Sequence, residues 1–268
     1  FNVRVAAAEA LGRIGPLAWT TMTALANALD SVNRDVTVGS FGWTPEANGW
    51  SHVRAAAAKA IGLIGGRGAD GTDLSVTASR EAAFFTPNLA ARLIYSHENF
   101  ERELVFGDAA IRAESARALG LLAATGIDYV LTQCARWLNQ LGAAFEDVDP
   151  TVRHHAAEAM GEMQHFAVPF VERLVAMAMD DRARAPRQAA AAALGRLGAH
   201  VPEGSLQPWA DLAGHGDYRR RLLAVQAMAE VGELATAYLA QLQTLAASDE
   251  DAGVRAASQV VIDALGVV

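Results

Sequence analysis

Val53 to Gly65 reads VRAAAAKAIGLIG: an apolar residue, an Arg, a block of alanines and two glycines. Related copies are anchored by Arg4, Arg54, Arg112, Arg153, Arg187, Arg221 and Arg255, which stand 50, 58, 41, 34, 34 and 34 residues apart. The constant step of 34 over the last four arginines marks a repeat array, in which each unit buries its apolar face against its neighbours. On a helical period, Val53, Ala57, Ile61 and Ile64 form one stripe, and Ile111, Ser115, Leu119 and Leu122 repeat it. Each copy is therefore predicted to be one amphipathic helix.

A second column of small residues runs beside the stripe: Ala10, Ala60, Ala118, Ala159, Ala193 and Ala227. Glycine inside a helix costs roughly 1 kcal/mol against alanine, yet Gly12, Gly62, Gly120, Gly161 and Gly195 all stand eight residues after the Arg. A recurring cost implies a recurring close approach between helices. Gly15, Gly65, Gly198, Gly232 and Gly266 follow the last apolar residue and suit left-handed C-caps. Asp108, Asp149, Asp217 and Asp251, four residues ahead of their arginines, suit N-caps. Between the motifs, second helices are expected over 17–29, 79–85, 87–95, 128–141, 168–179, 205–212 and 234–246, with Thr86 and Asp128 as N-caps. Two antiparallel helices per repeat make an all-α, αα superhelical solenoid.

Composition agrees with helix packing: 52% of residues are apolar and only 7% aromatic. The formal net charge of -8 disfavours nucleic acid as a partner. Cys134 is the single cysteine, so no intrachain disulfide calls for an oxidising compartment, and its place in a helical stretch suits a small buried residue. The sequence contains no run of 18 apolar residues and no signal peptide, which leaves a cytoplasmic location and no membrane contact as the expectation. The chain opens inside the first motif helix and stops just after the seventh motif. A segment of a longer protein, with an incomplete first repeat, is expected from that.

The pattern V-R-x-x-A-A-x-A-L-G-x-I-G resembles a HEAT repeat, in particular the short variety described in phycobilin lyases, and the resemblance covers nearly the whole chain. It implies a single solenoid over residues 1–268 with about seven repeats. It also implies an Asp–Arg ladder between neighbouring units, carried here by Asp149, Asp217 and Asp251 with Arg153, Arg221 and Arg255, and by Arg54, Arg112 and Arg187 on the same column. The ladder is incomplete, because Ala183 and Trp50 occupy the position four before Arg187 and Arg54. The short repeat type and the alanine-rich composition suggest a bacterial protein.

The period fails at three places: 31–51, 66–77 and 96–108. Loops inserted into a rigid array often carry function. The first and third would lie along one edge, gathering Phe41, Trp43, Trp50, Phe100 and Phe106 beside Glu98 and Glu101. Exposed aromatic rings flanked by carboxylates have the makeup of a protein-binding hot spot; the plainer reading is that the rings pack the loops onto the solenoid.

Catalytic chemistry finds little support. HEAT-like deoxyhypusine hydroxylase holds its metal on His-Glu pairs in several repeats, whereas this chain offers His154-His155, and the matching positions are Val5, Ala55, Ala113, Gln188, Leu222 and Ala256. His154 and Glu158, with Glu162 beyond, share a helix face that offers a partial metal site, but the plainer reading is a solvated polar face, so no metal, cofactor or catalytic residue is assigned. No column of the motif helices is basic throughout, and no phosphate-binding glycine loop or nucleophile elbow occurs. The expected role is a non-enzymatic scaffold that binds a protein or other domains of its parent chain. The alternative, implied by the resemblance, is a phycobilin-lyase-like enzyme subunit that handles a chromophore.

Overall fold

The computed structural model describes residues 2–30, 45–66, 73–91 and 109–266, and among these the chain is all-helical, with no strand. It divides into two compact units, Phe1–Met163 and Gln164–Val268.

In the first unit the motif helices are α1 (Asn2–Ile14), α3 (Pro45–Gly65), α6 (Ala109–Ala123) and α9 (Pro150–Gly161). Each packs on the next in chain order. A second set comprises α2 (Met22–Asp30), α4 (Asp73–Ala83), α5 (Thr86–Ala91), α7 (Asp128–Ala135) and α8 (Leu138–Ala143). These helices lie against the motif helices: α2 and α4 on α3, α5 and α7 on α6, and α8 on α9. The core between them holds Leu29, Ile61, Ile64, Leu89, Leu119, Leu122, Leu141, Met160 and Met163, all fully buried. Burial of each such side chain contributes about 1.5–3 kcal/mol.

The glycine column explains how the motif helices come so close. A Cβ added at Gly62 would stand 2.7 Å from the Ala118 Cα, and one at Gly120 would stand 2.9 Å from the Ala159 Cα. Gly12 meets Ala60 in the same way, at 3.2 Å. The expected close approach is thus a seam of glycine on alanine, tightest at Gly62 and Gly120.

The second unit contains α10 (Val171–Asp180), α11 (Arg184–Leu197), α12 (Gln207–Ala213), α13 (Tyr218–Glu230), α14 (Leu239–Ser248) and α15 (Ala252–Ala264). Motif helices α11, α13 and α15 pack in order, with α10, α12 and α14 each against the motif helix that follows it. Trp209 is fully buried and its Nε1 donates to the Val175 carbonyl at 3.4 Å, tying α12 to α10. Here the glycine seam changes: Gly195 faces the Glu230 carbonyl and the Val231 backbone.

Caps and breaks refine the expected boundaries. Asp149, Asp217 and Asp251 are N-caps, with side chains accepting from Thr151, Arg219 and Val254 backbone N–H groups; Asp108 lies outside the described residues. Gly15, Gly198, Gly232 and Gly266 take positive φ as expected, but Gly65 remains inside α3, pressed against Ala82 and Leu122. The second helices often start as a turn of 3-10 helix, as over Gly15–Thr21, Gln164–Phe170 and Gly232–Tyr238. Two expected caps differ. Thr86 is the first residue of α5, and its hydroxyl donates back to the Ala83 carbonyl while accepting from Trp137 Nε1 at 3.3 Å. Asp128 sits one residue inside α7, whose cap residue is Ile127.

Candidate functional site

Four of the arginines that anchor the repeats, Arg153, Arg187, Arg221 and Arg255, brace the turn ahead of their own helix. Arg153 Nη1 donates to the carbonyls of Asp147 and Val148 at 2.7 and 3.2 Å. Arg187 does the same to Asp181 at 2.7 Å, and Arg255 to Asp249 and Glu250 at 2.6 and 3.1 Å. Arg221 reaches the His215 and Gly216 carbonyls at 2.9 and 3.0 Å.

A second arm crosses to the next motif. Arg112 is paired in bidentate fashion with Asp147, through Nε to Oδ2 at 2.6 Å and Nη2 to Oδ1 at 2.9 Å. Arg221 repeats this on Asp249, at 2.7 and 2.8 Å. The cross-helix carboxylates are therefore Asp147 and Asp249, two residues ahead of the capping Asp149 and Asp251. Each acceptor is also held by its own turn, since Asp147 Oδ1 accepts from Asp149 N and Asp249 Oδ1 from Asp251 N, both at 2.9 Å. The signal for them was present in the sequence: Asp147, Asp181 and Asp249 all stand six residues before their arginine, with His215 in the same place before Arg221. His215 fills the turn role as well, its Nδ1 accepting from Asp217 N at 2.9 Å.

The hydrogen bond from Arg221 holds the Asp249 carboxyl below its ordinary value, with further help from the Asp251 N–H and against the opposing effect of burial. The same bond raises Arg221 further. Such fork-to-fork pairs fix geometry as well as charge.

Of the residues expected to form an aromatic binding cluster, Phe41, Trp43, Glu98, Phe100, Glu101 and Phe106 lie outside the described residues. Trp50 lies on α3 as backbone, with its side chain outside the described set. A different aromatic pair is exposed in the first unit. Phe84, in the turn between α4 and α5, is 61% exposed and Tyr129 on α7 is 40% exposed. Their ring centroids lie 6.2 Å apart with planes tilted by 57°. Sequence reading placed Phe84 at a helix end and left it without a role.

Cys134 is fully buried on α7, and burial pushes its thiol up to about 12, which keeps it protonated and unreactive. On α9 the His155 Nδ1 and His154 Nε2 both approach Glu158 Oε2, at 2.9 and 3.4 Å. No helix among the described residues is long and apolar enough to cross a membrane.

No protein-family model matches the chain, and no curated protein matches it in sequence. Among solved structures it is similar to an engineered protein whose crystal structure was determined by the Northeast Structural Genomics Consortium. The two share 18% identity with a TM-score of 0.55 over 91% of this chain and 96% of that one, a likeness of fold alone.

Proposed function

We propose that the chain is a HEAT-like αα solenoid that serves as a non-enzymatic scaffold, holding a protein partner on a surface formed before the partner arrives. The observation that carries this reading is the exposed Phe84–Tyr129 pair set on tightly packed helices. Paired rings on a rigid base offer large apolar contact with little ordering cost on binding. The ordered stacking of α1, α3, α6 and α9 through glycine and alanine supports the solenoid part of the reading.

The test is retention of proteins from the source cell on the immobilised full chain, compared with Phe84→Ser/Tyr129→Ser and with a chain lacking residues 31–44, the stretch ahead of α3. A partner retained by the parent chain and lost from either variant, with helicity unchanged by circular dichroism, is the expected result. Retention equal in all three overturns the assignment of the surface. A shifted visible spectrum on mixing the chain with a bilin would instead favour chromophore handling.

A further inference from the structure

We infer that His154, His155 and Glu158 form a site for one divalent transition-metal ion on α9. All three are half-buried, and each offers one ligand atom within 4.8 Å of the other two. His154 Nε2 lies 3.4 Å from Glu158 Oε2 and His155 Nδ1 lies 2.9 Å from the same oxygen. A four-coordinate zinc ion, with bonds of about 2.0–2.2 Å, places its ligand atoms about 3.3 Å apart. The carboxylate oxygen already stands near that separation from both nitrogens. All three donor atoms lie within 4.8 Å of one another, and closing on one ion requires the two rings to turn toward it.

The helix makes such convergence possible. His154 and Glu158 are one turn apart on the same face, and His155 reaches Glu158 from the adjoining face at a spacing of three. The two rings meet edge to face, with centroids 4.9 Å apart. The backbone beneath them is firmly set: Asp149 caps α9, Pro150 starts it, and Arg153, immediately before the two histidines, is anchored on the Asp147 and Val148 carbonyls. A ligand set on a fixed helix loses little freedom when the ion arrives.

The donor set selects the metal class. Two imidazole nitrogens and one carboxylate oxygen suit zinc, cobalt, nickel or copper, whereas calcium and magnesium require shells of oxygen. Three protein ligands leave a coordination position open to water. The site lies wholly within one helix of the first unit, so it stands whether or not the scaffold reading does.

The test uses the full chain and cobalt(II), whose visible bands report four-coordinate nitrogen and oxygen ligation, with zinc(II) in competition followed by calorimetry. One equivalent is expected to bind to the native chain, with zinc displacing cobalt and bleaching the bands. Glu158→Gln, which keeps side-chain shape, and His155→Ala should each weaken binding by at least ~10-fold while circular dichroism stays unchanged. His165→Ala/His200→Ala, which removes a second histidine pair, 6.0 Å between centroids in the second unit, should leave binding intact. The inference is overturned if the native chain binds no cobalt or zinc, if Glu158→Gln binds as the native chain does, or if the His165/His200 variant is the one that loses the ion.

Discussion

Arg112 and Asp147 form a buried, two-point ion pair between α6 and the turn that starts α9, with both side chains almost removed from solvent. Such a pair is favourable only while both members are present, because either one alone is a buried charge without compensation. Asp147→Ala is therefore expected to destabilise the chain by about 3–5 kcal/mol, measured by urea unfolding. The loss includes the bond to Asp149 N, so Asp147→Asn, which keeps an acceptor for that N–H, should cost less than Asp147→Ala. Equal stabilities for the native chain and Asp147→Ala would show that the pair contributes nothing.

The glycine seam predicts that Ala is costly at Gly62 but tolerated at Gly214, which lies outside it. Ala in place of Gly62 gains helix propensity worth about 1 kcal/mol, but its Cβ would stand 2.7 and 2.8 Å from the Ala118 Cα and Cβ. Backbone has to move to admit it, so net destabilisation of about 1–2 kcal/mol is expected. Gly214, whose added Cβ meets nothing nearer than the Asp211 carbonyl at 3.5 Å, should accept Ala within ~0.5 kcal/mol. Thermal unfolding of the two variants side by side is the measurement.

Asp249 supplies a pH dependence with a definite sign. Its carboxyl is held below the ordinary value by Arg221, so the folded state binds its proton less readily than the unfolded chain. That contribution is complete above the ordinary carboxylate value of about 4 and is lost as pH falls from there through the lowered folded value. Asp249→Asn should be less stable than the native chain at neutral pH, and the gap should narrow as the solution is acidified below pH ~4. A gap that stays constant on acidification counts against the pair.

Cys134 should behave as a reporter of unfolding. With the thiol fully buried and pushed up to about 12, an aromatic disulfide reagent at neutral pH should react with it only in denaturant. Prompt reaction of the native chain with one equivalent would show that α7 opens readily.

Much of this fold was legible because small residues carry unambiguous information. A glycine that recurs at a fixed distance from an Arg has few uses inside a helix, and Gly62 and Gly120 were read correctly as points of close approach. The capping of Asp149, Asp217 and Asp251 followed equally from local chemistry. The cross-helix acceptors were harder. Asp147 and Asp249 belong to turns, and their partners Arg112 and Arg221 lie 35 and 28 residues away in sequence, beyond any helical periodicity. The His154–His155–Glu158 cluster was visible only in part. Adjacent residues leave a helix in different directions, so the sequence pairs His154 with Glu158, but only side-chain placement brings His155 to the same oxygen. The break at Arg136 and Trp137 between α7 and α8 has no proline or glycine to announce it, and Trp137 makes a bond to Thr86 there.

The pairing of Arg112 with a residue 35 positions later also sets a schedule for synthesis. A ribosome releases the helix bearing Arg112 before it has made the carboxylate that compensates it, and at ~5–20 residues per second that interval lasts seconds. During it, α6 can pack backwards on α3 through Gly62 and Ala118, before the Asp147 carboxylate is available to it. The bidentate pair can thus close only when the turn ahead of α9 has emerged.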